Sequence, residues 1–128
     1  MECARHYFLG TLSWQPIIDG AEMAVLEGDP AAAGEYVIRF RTDREIFVPL
    51  HWHHHDEHVT VIAGPFAMSY KGARQEMTPG ASVVIPATVR HSTWYGTGTV
   101  VEVSGQGPFE SIYVDPATDL GDRIEKQA

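Results

Sequence analysis

The chain has 128 residues, one cysteine and a formal net charge of −8, from nine basic against seventeen acidic residues. That length fits one domain able to bury a core without disulfides, and Cys3 has no internal partner. The acidic balance makes nucleic acid and anionic membranes poor partners.

The opening "MECARHYFLGTLSWQP" lacks the features of a secretory signal, and no apolar run approaches the roughly 20 residues of a membrane span. The expectation is a cytoplasmic protein. Residues 1–20 read as an N-terminal arm, and "HYFLGTLSWQP" within it is the candidate contact of a homodimer. The next stretch, "AEMAVL" (21–26), is too short to argue for more than one turn. From residue 35, short runs rich in β-branched and aromatic residues alternate with Gly/Pro turns: "EYVIRFR" (35–41), "REIFVPL" (44–50), "HVTVIAG" (58–64), "FAMSY" (66–70), "SVVIP" (82–86), "HSTWY" (91–95), "TVVEV" (99–103) and "ESIYV" (110–114). The stretch "YKGARQEMTPGA" (70–81) reads as turn. Eight short strands with no helical apolar stripe predict an all-β sandwich or barrel, with a core over about 35–115 and a tail over 116–128.

Five of the seven histidines fall in "PLHWHHHDEHVTVIAGPF", which begins at Pro49. In a strand, alternate side chains share a face, so His51 and His53 point together, and Glu57, Val59 and Val61 do so further on. Trp52, His54 and His58 take the other face. Imidazoles and a carboxylate at the mouth of an apolar barrel suit one divalent transition metal: iron, manganese, nickel, zinc or copper.

The run His51-x-His53-x₃-Glu57-x₆-Gly64 resembles the first motif of the cupin superfamily, and Gly80-x₅-Pro86-x₄-His91 resembles most of the second. The resemblance implies a double-stranded β-helix (jelly-roll) barrel spanning residues 1–128 as one domain. It also implies a metal held by His51, His53, Glu57 and His91. Three positions depart from the usual motifs: Glu45 and Thr88 stand where glycines are usual, and Tyr95 where asparagine often stands. Gly64 and Gly80 are expected in turns that need positive φ, and Pro86 at a strand end.

Tyr95 and His55 are the candidate catalytic groups. Tyr95 shares a face with His91 and could donate to a substrate oxygen; His55 shares parity with His53. Asp56 reads as a turn or imidazole-orienting acceptor. Arg39, Arg41 and Arg90 are candidates for a substrate carboxylate, and Glu102 for a base if it faces inward in place of Val101 and Val103.

The resemblance implies a small oxygenase or dioxygenase acting on an enolisable or phenolic molecule. The alternatives are a non-redox isomerase, cyclase or lyase, and a non-catalytic ligand-binding domain.

Overall fold

A computed structural model describes residues 12–115. The candidate dimer contact and the tail over 116–128 lie largely or wholly outside these residues. Eleven strands follow in order: β1 Trp14–Ile18, β2 Ala21–Glu27, β3 Gly34–Thr42, β4 Ile46–Trp52, β5 Glu57–Ala63, β6 Phe66–Tyr70, β7 Ala73–Met77, β8 Ser82–Ile85, β9 His91–Tyr95, β10 Val100–Gly107 and β11 Ile112–Tyr113. They form two antiparallel sheets, ordered β1-β2-β3-β10-β5-β8 and β11-β4-β9-β6-β7. The architecture is a jelly-roll β-barrel, and among the described residues no helix is long and apolar enough to cross a membrane.

All eight expected strands are present, within a few residues of the expected ends. Three more were not anticipated. The sheet begins at β1 and β2, so much of the stretch read as an arm and a turn belongs to the barrel. Met23 and Ala24 are buried there although the segment is short, because β3 lies alongside and supplies the partner. Within the stretch read as turn, β7 pairs residue by residue with β6. Its sequence "ARQEM" is polar and mostly exposed, as an edge strand should be, and so carries no apolar alternation to betray it.

Strand alternation builds the core. Tyr36, Ile38 and Phe40 on β3, Val59 and Val61 on β5, and Val101 and Val103 on β10 all point between the sheets. Phe66 and Met68 close the core from β6, and Phe109 enters from the loop before β11. Glu102 faces away from the core, where its Oε1 accepts from Arg39 Nε at 2.9 Å. Arg41 likewise faces out, bonded to Glu22 at 2.7 Å and lying 4.1 Å over the Trp14 ring.

Two turns explain local sequence. Gly64 has φ +78°, and a Cβ there would come within 2.6 Å of the Gly98 carbonyl oxygen. Glycine is therefore needed both for its conformation and for the close approach. Thr88 keeps the left-handed conformation of the glycine it stands in for, at φ +68°. A β-branched residue there is strained. Its amide donates to the His53 carbonyl at 2.8 Å, tying this turn to the loop after β4.

Candidate metal centre

His51 reaches the interior through an irregularity in β4. Ile46 pairs with Tyr95, Val48 with Thr93 and His51 with His91, so three steps on β4 match two on β9. This is a β-bulge at Pro49 and Leu50. Without the extra residue, regular alternation from Ile46 and Val48 would turn Leu50 inward and His51 outward. The bulge reverses this: Leu50 is exposed and His51 is 4% exposed. Proline suits the position because it has no N–H to lose from the ladder. Its carbonyl is also used, since His51 Nδ1 donates to Pro49 O at 2.7 Å.

The other ligand candidates arrive from separate places. His53 follows β4 directly. His91 opens β9, opposite His51. Glu57 opens β5 on the facing sheet, so the cluster bridges both layers of the barrel. All four side chains are buried. One ring nitrogen from each of His51, His53 and His91 lies within 4.8 Å of the other two. Glu57 Oε1 is 3.2 Å from His53 Nε2 and 3.6 Å from His91 Nε2.

The tautomers follow from the backbone. His53 Nδ1 bonds to Glu110 O at 2.9 Å, and His91 Nδ1 to Val89 O at 2.9 Å. A carbonyl can only accept, so each Nδ1 carries the proton, as in His51. In the neutral rings this leaves each Nε2 with its lone pair available. The buried Nε2 of His91 has no hydrogen-bond partner. Lone pairs and a carboxylate converging in a dry site repel one another unless a cation sits among them. Ligand atoms each about 2.1 Å from a shared ion stand about 3 Å apart at right angles, close to the Glu57 separations observed. The residues present fit a metal.

The electrostatics agree. Burial, followed by the neighbouring His91 and His53 rings, pushes His51 down to about 3, so it stays neutral at ordinary pH. Burial alone would raise the Glu57 carboxyl. Positive charge at the His53 and His91 Nε2 positions, where a bound cation would lie, outweighs burial and holds it well below the usual carboxylate range.

The cluster stands at one end of a cavity of about 100 Å³. Its walls are mainly apolar, with Ile17, Phe40, Val48 and Phe66 among them, and Thr93, Tyr95, Ser111 and Tyr113 contribute hydroxyls. Tyr95 packs edge-on against Phe66, ring centroids 5.1 Å apart. It begins four residues beyond His91, about 13 Å along the strand. It therefore lines the wall away from the histidines.

His55 is exposed and lies not in this cavity but in an outer groove with His54, Asp56 and His58. Parity failed as a guide there because the loop between β4 and β5 is not extended. Asp56 accepts the Ala87 amide at 2.8 Å, pinning this loop to the turn before β9. Arg90 is exposed.

Sequence reasoning placed a strand over 110–114 but gave the segment from Phe109 to Tyr113 no part in the site. Phe109 stacks on His53 at 5.0 Å and 29°, and the Glu110 carbonyl holds the same ring. Tyr113 pairs with His51 across β4 and β11, with rings 5.7 Å apart. The alternation of "ESIYV" put Ser111 and Tyr113 on one face, but nothing in the sequence said which strand they would meet.

Residues 44–103 match the family model described as a cupin domain. No curated protein sequence matches the chain. Among solved structures, the polyketide cyclase RemF from Streptomyces resistomycificus aligns at TM-score 0.71 and 17% identity, over 93% of this chain and 91% of that one. KdgF from Halomonas sp. aligns at 0.68 and 19%, over 80% and 94%. Salicylate 1,2-dioxygenase from Pseudoaminobacter salicylatoxidans, in complex with gentisate, aligns at 0.64 and 16%, over 79% of this chain and 32% of that one. Residues 44–103, across the strands that carry the histidine cluster, form a cupin domain.

Proposed function

We propose that this protein is a metal-dependent oxygenase of the dioxygenase type, acting on a small enolisable or phenolic molecule. The observation that carries this reading is the convergence of three imidazoles and the Glu57 carboxylate on the wall of a mainly apolar cavity. In the proposal His51, His53, Glu57 and His91 hold one first-row divalent ion, with iron, manganese, nickel, zinc and copper all suited to the donor set. When bound, such an ion supplies a Lewis-acidic centre and, for the redox-active metals, access to oxygen chemistry.

The chain's own residues do the rest. The backbone carbonyls of Pro49, Glu110 and Val89 keep the three rings in one tautomer. Val48, Phe40 and Phe66 exclude water and shield reactive species. Apart from the four proposed ligands, the described residues bring no histidine, carboxylate or lysine to the cavity wall. Of the side-chain bases that acid–base chemistry would require, His55 and Glu102 both lie elsewhere. This favours oxygenation, which asks less of protein acid–base groups. One of the fold relatives is a salicylate dioxygenase, in line with this reading.

A non-redox cyclase, isomerase or lyase is the second reading. The hydroxyls of Tyr95 and Tyr113 on the cavity wall favour it, because a phenol can relay a proton. Cytoplasmic location and homodimerisation belong to the same proposal, the latter supported by the adjacent exposed apolar residues Leu50 and Val114.

The test is to purify the protein without added metal, identify the ion that co-purifies, and follow oxygen uptake with diketones, catechols and phenolic acids. Iron, nickel or copper with uptake supports oxygenation. Zinc without uptake, but with turnover of substrate, supports the second reading.

A further inference from the structure

The cavity wall has a charge character of its own. Among the described residues no lysine or arginine lines it. Three arginines come close in sequence, and strand parity turns each away. Arg39 and Arg41 flank the inward Phe40 and are bonded on the outer face to Glu102 and Glu22. Arg90 precedes the inward His91 and is exposed. Apart from the ligand cluster, the polar groups that reach the cavity, Thr42, Thr93, Ser111, Tyr95 and Tyr113, can satisfy a neutral hydroxyl or carbonyl. They cannot neutralise a carboxylate.

We propose that this cavity selects a compact ligand that binds through a singly ionised enol or phenol head on an otherwise uncharged, apolar body, and rejects ligands carrying a carboxylate, sulfonate or phosphate. The selection rests on the metal-dependent reading above. Three neutral imidazoles and one carboxylate around a divalent ion leave one net positive charge. One enolate or phenolate oxygen balances it. Among the described residues a second anion meets no cation on the cavity wall, and burying an unpaired charge is strongly unfavourable. The cavity of about 100 Å³ further restricts the ligand to roughly one ring. Arg39 and Arg41, which the sequence offered as carboxylate clamps, thereby take no part in binding.

The experiment uses cobalt-loaded protein under nitrogen, with loading measured first by calorimetry. Catechol, 3,4-dihydroxybenzoate and its methyl ester are then titrated at pH 7, following the visible absorption of the cobalt. The three share a metal-binding head, and the ester controls for the size of the acid. Catechol and the ester are expected to bind at least tenfold more tightly than the acid. Ile46→Lys, which adds a cation to a half-buried wall position, is expected to narrow that gap. Equal affinity for acid and ester, or no binding of any of the three by loaded protein, overturns the selection. Failure to load cobalt overturns the metal reading and the selection with it. If the preference holds but no ligand drives oxygen uptake with any metal, the oxygenase reading fails and the charge selection stands.

Discussion

His51 and His91 face one another across β4 and β9, their ring centroids 4.2 Å apart and their nitrogens directed into a shared space with His53. Neither ring is free to turn away, because the backbone carbonyls of Pro49 and Val89 hold them from behind. His91 is 1% exposed. His91→Ala removes one nitrogen donor from the cluster. Metal affinity is expected to fall at least tenfold, measured by competition with a calibrated chelator. Unchanged affinity would remove His91 from the ligand set.

Glu57 is tested by Glu57→Gln, which keeps volume and loses charge. The amide is a poorer ligand for a dication, so affinity is expected to drop at least tenfold, with the far-ultraviolet dichroism of the sheets unaltered. An amide that binds metal as well as the carboxylate does would show that three histidines suffice.

Acid should destabilise the metal-free protein. His51 is held at about 3 in the fold, against 6.5 in a free chain. Between those values the unfolded chain takes up a proton that the folded chain refuses. The stabilising contribution is thus complete above pH 6.5 and is lost as pH falls towards 3. Glu57, depressed below its ordinary value of 4.5, works in the same direction at lower pH. The loss from His51 alone between pH 7 and pH 5 is on the order of 2 kcal/mol. Denaturant melts of chelator-treated protein at the two pH values measure it, and equal midpoints would contradict it.

The turn before β9 offers a stabilising change. Thr88 sits at φ +68°, where a β-branched residue is strained and glycine is not. Thr88→Gly is expected to stabilise the protein by about 1 kcal/mol, while Thr88→Ala should do less because it keeps a Cβ. Thermal unfolding of the two variants side by side separates relief of strain from loss of the hydroxyl.

Phe109 joins the core to the site. It packs near Tyr36 and Phe40, with ring centroids at 5.9 and 6.3 Å, and stacks on His53. Phe109→Ala is expected to cost about 3 kcal/mol of stability, as large buried aromatics do. Metal affinity should also weaken, since His53 loses the surface that orients it. A stability loss with affinity intact would confine Phe109 to packing.

By itself the sequence determined the class of fold and the chemical identity of the candidate site. Apolar alternation of period two, broken by glycine and proline, is a local property, and it marked the central strands without reference to their neighbours. The spacing of His51, His53, Glu57 and His91 was equally legible. Tertiary structure decided what depends on pairing. The polar edge strand β7 and the short β1 and β2 exist because partners supply their hydrogen bonds, and no local pattern announces them. The bulge at Pro49 turns His51 inward only because β9 fixes the register opposite it. His55 shares a parity with His53 that its loop does not honour, and it ends on the outside. Ser111 and Tyr113 join the cavity because β11 docks on β4. Register and docking are long-range agreements between strands, and a chain read one residue at a time does not contain them.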